Sequence, residues 1–190
     1  MARRLLLSLT LAFGLALPAM AQPAGAPASV RHPKGWSVTL PAGMRAAPNA
    51  VQGDLITLML VRGNTAAGAC SVTVNTQPTA LTATVWDRTA NSFLANAEGE
   101  GREAATRSGH AFIRHLGSAP IRSAAGWSGF SFWYERTNKT SGQLQSAYLA
   151  STMLSPTQRL SLACSSTAGH LLEPADYVRF KALATSARAD

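Results

Sequence analysis

The sequence has little charge, few cysteines and, beyond its first 21 residues, no long apolar run. Charged residues make up 14% of the 190 residues, and hydrophobic residues make up 46%. That balance excludes an intrinsically disordered chain and allows one buried core of ordinary domain size. Because no stretch after residue 21 is long enough to cross a bilayer as a helix, we expect no transmembrane segment in the mature chain.

Acidic residues are also scarce, with 9 Asp and Glu against 17 Lys and Arg, which gives a formal net charge of +8. A basic balance raises the question of nucleic acid or membrane surfaces. However, no two Lys or Arg residues are adjacent after the first 21 residues. We therefore expect a solvated basic surface and no nucleic-acid partner, while weak attraction to anionic lipid, peptidoglycan or an acidic partner stays open.

The motifs of common enzymes are missing. The segment from Gly126 to Phe130 resembles the G-x-S-x-G nucleophile elbow, but Phe130 stands where the second glycine is required. No Walker A loop and no H-E-x-x-H zinc motif occurs. We leave open whether the chain is an enzyme, expect that it is not, and predict no catalytic residue and no cofactor.

One acidic stretch contains oxygen ligands that Ca²⁺ can use. Glu98, Glu100 and Glu103 crowd around Gly99 and Gly101. The spacing differs from that of an EF-hand loop, and a basic residue lies within the stretch. We therefore favour a solvated turn at the end of a helix, and predict no metal site.

The first 21 residues have the pattern of a secretory signal peptide. Arg3 and Arg4 precede an apolar stretch over 5–17, and Ala19-Met20-Ala21 is an A-x-A cleavage site. We predict cleavage after Ala21 and export to a bacterial periplasm; an uncleaved N-terminal anchor is the alternative. Residues 22–34 follow as a flexible lead-in, and residues 35–190 form a single domain.

The chain has two cysteines, Cys70 and Cys164. An even count in an exported protein predicts a disulfide. Each cysteine alternates in phase with apolar neighbours, which would place both on core-facing sides of strands. A redox-active cysteine or two buried free thiols are the alternatives.

Hydrophobic periodicity predicts strands first, then a helix, then strands and a final helix. The expected helices run over 84–97, capped at Thr84, and from Pro174 onward. The expected strands are 35–40, 55–61, 70–75, 110–114, 126–136, 144–154 and 159–165. This order predicts an α+β fold with a mostly antiparallel sheet flanked by helices.

Both ends of the chain resemble the PsbP-like family, which includes the extrinsic photosystem II protein PsbP and the bacterial periplasmic protein DcrB. The opening segment from Trp36 to Gly43 is similar to the family's aromatic-x-Val-x-Leu-Pro-x-Gly start. The closing strand 160–164, followed by a turn and a helix, is similar as well. The resemblance implies an α-β-α sandwich and a role in binding or assembly. It implies no catalytic residue.

The strand over 126–136 is rich in aromatic residues. Alternation places Phe130, Phe132 and Tyr134 on one face and Trp133 on the other, which indicates a strand covered on both sides. Together with Trp127 these residues are possible binding aromatics that could line a ligand pocket. Packing in the core is the explanation that we favour.

We therefore predict an exported periplasmic, non-catalytic binding or assembly module that docks a protein or an envelope component. A carrier of a small apolar ligand, with aromatic residues facing a cavity between sheet and helix, is the first alternative. A hydrolase is the second, and it requires His110, His115 or His170 to lie within hydrogen-bond reach of a serine and a carboxylate.

Overall fold

A computed structural model describes residues 28–190. The predicted signal peptide, its cleavage site and the first part of the lead-in lie outside the described residues. The strands are β1 (Ser29–His32), β2 (Trp36–Thr39), β3 (Met44–Gln52), β4 (Leu55–Arg62), β5 (Thr65–Thr76), β6 (His110–Arg122), β7 (Ser128–Asn138), β8 (Leu144–Ser155), β9 (Gln158–Ser166) and β10 (Arg188–Ala189). The helices are α1 (Ala83–Ala95), α2 (Ala97–Arg107) and α3 (Pro174–Ser186). Within the described part, no helix has the length and apolar character to cross a membrane.

Seven strands form one antiparallel sheet in the order β3-β4-β5-β9-β8-β7-β6. Strands β1, β2 and β10 form a small second sheet. The α+β fold class with a mostly antiparallel sheet flanked by helices is thereby confirmed. Strand β1 also shows that ordered structure starts before residue 35, inside the expected lead-in.

Two core clusters lie on opposite faces of the large sheet. Helices α1 and α2 pack on one face, over Phe130, Phe132 and Tyr134 of β7. Helix α3 and the small sheet pack on the other face, over Tyr148 and the disulfide. The layers are therefore helix, sheet and helix, because alternate side chains of each central strand point to opposite helical layers.

The disulfide between Cys70 and Cys164 is present, which confirms that prediction. The two residues lie directly opposite each other on the neighbouring strands β5 and β9. Both are buried in the cluster on the α3 face.

Helix α2 corrects the sequence reading of residues 97–107 as the end of a helix followed by a solvated turn. Ala97, Gly101 and Ala105 recur at helical spacing and are buried against the sheet. A Cβ atom on Gly101 would lie 3.2–3.3 Å from the rings of Phe112 and Tyr134. The glycine thus allows close helix–sheet approach, where the sequence alone suggested a helix stop.

The acidic residues of this stretch lie along α2. Glu98 pairs with Arg102 and Glu103 pairs with Arg107, each four residues further along the helix. Within residues 28–190, no group of three or more metal-ligating side chains converges. Helix α1 begins slightly earlier than expected, because the Thr82 hydroxyl, and not that of Thr84, accepts the Val85 N–H at 3.3 Å.

Candidate functional site

An open groove of about 480 Å³ lies between α3 and the sheet strands β6, β7 and β8. We call it the α3 groove. Its walls are mostly apolar and aromatic, with a few polar groups. The lining residues that matter below are Trp133, Glu135, Tyr148, Leu171, Tyr177, Val178 and Lys181.

Three aromatic rings from three elements form the floor and one wall of the α3 groove. Trp133 comes from β7, Tyr148 from β8 and Tyr177 from α3. The ring centroids lie 6.2 Å apart for Trp133 and Tyr148, and 5.4 Å apart for Trp133 and Tyr177. Spacings in this range are typical of favourable aromatic pairs.

Gly117 of β6 gives the Trp133 ring its position. The two residues are cross-strand partners. A Cβ atom on Gly117 would lie 2.6 Å from the Trp133 ring. The ring therefore lies over a stretch of backbone that only glycine leaves clear.

A buried carboxylate fixes the start of α3, which carries one wall of the groove. Asp176 is fully buried and accepts hydrogen bonds from Arg62, from Arg179 at 2.9 Å and from the Glu173 backbone N–H at 2.9 Å. Glu173 and Asp176 form a reciprocal capping box, and Pro174 occupies the first turn. This anchoring sets where Tyr177 and Val178 lie.

The Tyr148 hydroxyl is the unusual polar group of the groove. The residue is 1% exposed, and within residues 28–190 its hydroxyl has no hydrogen-bond partner. Ser131 lines the same groove, and its hydroxyl donates to the Ala119 carbonyl at 3.1 Å. Burial raises the pKa of Tyr148 to about 12, and Ser131 opposes that rise in part. The hydroxyl is therefore neutral at ordinary pH and unsatisfied.

Glu135 supplies the carboxylate of the groove, and Arg114 neutralises it. Two guanidinium nitrogens of Arg114, Nε and Nη2, donate to the two Glu135 oxygens at 2.7 and 2.9 Å. This hydrogen-bonded pair raises the pKa of Arg114. Burial raises the pKa of Tyr177 as well. The groove thus holds no uncompensated negative charge at neutral pH.

The rim of the groove exposes apolar side chains. Val178 is 69% exposed and Leu171 is 39% exposed. Lys181, one turn along α3 from Val178, is also exposed at the rim. An exposed apolar rim beside an aromatic floor is typical of a surface that binds something.

The structure separates the five aromatic residues that the sequence singled out. Phe130, Phe132 and Tyr134 are buried under α1 and α2, and only Trp133 faces the α3 groove. Trp127 is half-buried beside a small surface pocket. The partners of Trp133 in the groove, above all Tyr148, were not identified from the sequence, since they come from distant strands and helices without a shared motif.

The histidines do not form the arrangement that a hydrolase requires. His110 contacts Ser108 through Nδ1 and the Gln145 side chain through Nε2 at 3.0 Å. Bulges in β6 pair His110 and His115 with Asn138 and Tyr134, which share one face of β7. In the described range, no histidine is bonded to both a serine and a carboxylate.

No protein-family model and no curated protein sequence matches the chain. Among solved structures, the chain is similar to the Ran-binding protein Mog1p of Saccharomyces cerevisiae, with a TM-score of 0.54 and 11% identity. That match covers 86% of this chain and 95% of Mog1p. At this identity the likeness shows a shared fold.

The chain is also similar to cyanobacterial PsbP from Synechocystis sp. PCC 6803, with a TM-score of 0.46 and 14% identity. That match covers 90% of this chain and 97% of the cyanobacterial protein. The narrower resemblance to DcrB stays a prediction.

Proposed function

We propose that the chain is an exported, non-catalytic binding module that docks a periplasmic or envelope protein through the α3 groove. One observation carries the proposal. Val178 is 69% exposed on a helix that buries Asp176 completely. An apolar side chain held in solvent by a rigid, buried anchor is suited to contact with a partner.

The charges around the groove favour a partner of a particular kind. Lys181 at the rim forms no ion pair with any residue in 28–190, whereas Glu135, the carboxylate of the lining, is paired with Arg114. The whole chain is basic, and removal of Arg3 and Arg4 with the leader lowers its net charge only from +8 to +6. We therefore infer a partner that inserts an apolar anchor flanked by acidic residues. Mog1p, of similar fold, is described as binding the protein Ran, which supports a protein partner.

The test compares two valines that are exposed on opposite helical layers. A partner is first captured by crosslinking in cells through a tag placed after Asp190, and is then purified. Val178→Asp should weaken its affinity about tenfold or more, because the change places a charge on the apolar rim facing an acidic partner. Val85→Asp, on α1 where Val85 is 42% exposed, is the matched control and should bind as wild type. Equal loss in both variants, or in neither, would contradict docking at the groove.

Export is a separate part of the proposal and has its own test. The signal pattern over 1–21 supports it. N-terminal sequencing of the protein from a periplasmic fraction should begin at Gln22. A chain that retains Met1 and stays with the membrane fraction would instead indicate an uncleaved anchor.

A small-ligand carrier is the second candidate function, favoured by two features of the same groove. Its volume of about 480 Å³ falls in the usual range for small-molecule sites, roughly 300–1,000 Å³. Its mostly apolar lining, with the aromatic residues Trp133, Tyr148 and Tyr177, suits the apolar chain of a ligand. Decanol should raise the Tm of wild type and raise that of Trp133→Ala less, because that variant loses part of the aromatic lining. The same shift in both proteins would count against this candidate.

A further inference from the structure

A second cleft, of about 280 Å³, lies on the opposite face of the sheet from the α3 groove. We call it the arginine cleft. It lies between helices α1 and α2 and the neighbouring strands β5, β9 and β8. Its lining includes Ser71, Phe93, Glu100, Arg107, Arg159 and Ser161.

Arg159 is a half-buried cation without a carboxylate partner. Its Nε donates to Ser151 Oγ at 2.8 Å, and its guanidinium carbon lies 5.4 Å from the centroid of the Trp86 ring. No carboxylate in residues 28–190 lies within 4.0 Å of it. Burial lowers the pKa of Arg159, as expected for a cation whose loss of water is not offset by an anion.

The guanidinium has spare hydrogen-bonding capacity at the cleft. Of its nitrogens, only Nε has a protein acceptor among the described residues. The terminal nitrogens keep the planar pair of donors that fits carboxylate and phosphate oxygens. The hydroxyls of Ser71 and Ser161 lie in the same lining and add further donors.

The remaining walls are apolar, with one charge of each sign. Phe93 stacks on Phe130 with centroids 4.3 Å apart, and both line the cleft with Phe132. Arg107 is paired with Glu103 on the surface of α2. Glu100 also lines the cleft and is a like charge for any anion bound there.

We propose that the arginine cleft binds a small organic anion, in which a carboxylate or phosphate group is attached to an apolar body. The terminal nitrogens of Arg159 donate to the oxyanion, and the apolar body packs against Phe93. The site is independent of the α3 groove and of the proposed docking function, because the two lie on opposite faces of the sheet. A carboxylate and a phosphate both present oxyanion oxygens to Arg159, and the test below distinguishes between them.

The test measures binding to the mature chain by calorimetry, with phenyl phosphate and phenylacetate as probes. Benzyl alcohol has the same apolar body without the anion, and inorganic phosphate has the anion without the body. At least one of the two anionic probes should bind about tenfold or more tightly than benzyl alcohol and than inorganic phosphate. The tighter of the two identifies the group that the cleft prefers.

Two variants should change this affinity in opposite directions. Arg159→Gln should weaken binding about tenfold or more, since it removes the charged donors. Glu100→Gln should tighten binding about two- to fivefold, since it removes a like charge near the anion. Arg45→Gln is the control. Arg45 is exposed on β3, and its cross-strand partner Met59 lies on the sheet face that carries the arginine cleft, so the variant removes the same charge from the same face outside the cleft. It should bind as wild type.

Several outcomes would overturn the proposal. Equal weakening by Arg159→Gln and Arg45→Gln would show attraction by net charge alone. Binding of benzyl alcohol as tight as that of either anion would show an apolar site. Weaker binding of the anionic probes by Glu100→Gln would contradict an oxyanion held near the Glu100 carboxylate in the cleft. Because Arg159→Gln also removes contacts to Trp86 and Ser151, its Tm is measured alongside, and Glu100→Gln keeps the test decisive if that variant unfolds.

Discussion

The two faces of strand β7 show two different ways of covering one sheet. On one face Phe130, Phe132 and Tyr134 stack at successive centroid distances of 6.3 Å and are closed over by α1 and α2. On the other face Trp133 and Glu135 meet a single helix, α3, and an open groove remains.

The difference lies in what each helix buries. Helix α1 buries Trp86 and Ala90, an ordinary apolar stripe. Helix α3 buries the charged Asp176 with Phe180 and Leu183, while it exposes Val178. Helix α3 is thus held to the sheet partly by the ion pairs of buried Asp176, and the apolar side chain of Val178 lies on its exposed side. Helices α1 and α2 therefore leave only the smaller arginine cleft beside them, whereas α3 leaves the larger groove with an exposed apolar rim.

Removal of the disulfide should be the strongest way to break the α3 face. Cys70→Ala combined with Cys164→Ala frees a loop with a sequence separation of 94, which should cost about 4–5 kcal/mol of unfolding free energy in the chain-entropy model. Denaturant unfolding of the double variant measures the loss. Wild type under reducing conditions serves as the control and should lose a similar amount. A loss below about 1 kcal/mol would show that the unfolded chain is already compact.

Truncation of one aromatic residue on each face tests the comparison directly. Phe130→Ala should cost about 3–4 kcal/mol, since its ring is buried against Phe93 and Trp86. Trp133→Ala should cost only about 1–2 kcal/mol, because the half-buried ring already borders open space. Chemical denaturation of both variants checks the ranking. If Trp133→Ala were the costlier change, the groove face would be a packed core.

Neutralisation of the α3 anchor should destabilise the fold and disturb the groove together. Asp176→Asn leaves Arg62 and Arg179 without their buried partner, at a cost of about 2–3 kcal/mol, since both arginine side chains are 35% exposed and partly solvated. Lys34→Gln, which breaks the exposed pair with Asp54, is the control and should leave stability nearly unchanged, because water screens an exposed pair. Similar losses in both would mean that Asp176 has no special anchoring role.

The smallest expected change comes from the Tyr148 hydroxyl. Tyr148→Phe should leave stability at pH 7 unchanged or raise it by up to about 1 kcal/mol, because it removes a buried polar group without a partner. The sign of its pH effect follows from a native pKa of about 12 above the usual value of about 10. The unfolded chain then loses the Tyr148 proton first, so stability falls as pH rises from about 10 to 12.

Denaturant unfolding between pH 8 and 11 checks this dependence. The fall above pH 10 should be shallower in Tyr148→Phe than in wild type. The fall in stability that remains in Tyr148→Phe comes from Tyr134 and Tyr177, whose pKa values burial also raises. Identical slopes in both proteins would mean that Tyr148 titrates as an exposed tyrosine.

Local patterns predicted the parts of this fold that depend on local chemistry. The alternation around Cys70 and Cys164 placed both on the core side, and the alternation along β7 separated Trp133 from Phe130 and its neighbours. Pro174 marked the start of α3. Strand β3 was missed because it is an edge strand with a bulge and mostly exposed side chains.

The site escaped prediction for a different reason. Tyr148 carries the same alternating pattern as any buried residue of β8, and nothing near it in the sequence indicates that its hydroxyl lacks a partner. Arg159 likewise reads as a solvated residue at a strand start. The missing hydrogen-bond partner of Tyr148 and the missing carboxylate partner of Arg159 depend on which residues from distant parts of the chain lie nearby. Sequence periodicity does not predict those contacts.

The sequence by itself determined the α+β class, the cysteine pairing and the division of aromatic residues between two faces of a strand. Each of these follows from periodicity along one element or from the count of a reactive side chain. Only the tertiary structure decided that α1 and α2 close over Phe130, Phe132 and Tyr134 while α3 leaves a groove beside Trp133. That outcome depends on how the three helices pack on the seven-stranded sheet. Their packing depends on the buried ion pairs of Asp176 and on Gly101 and Gly117, which allow close contact with aromatic rings. Most of these contacts join residues that are far apart in the chain.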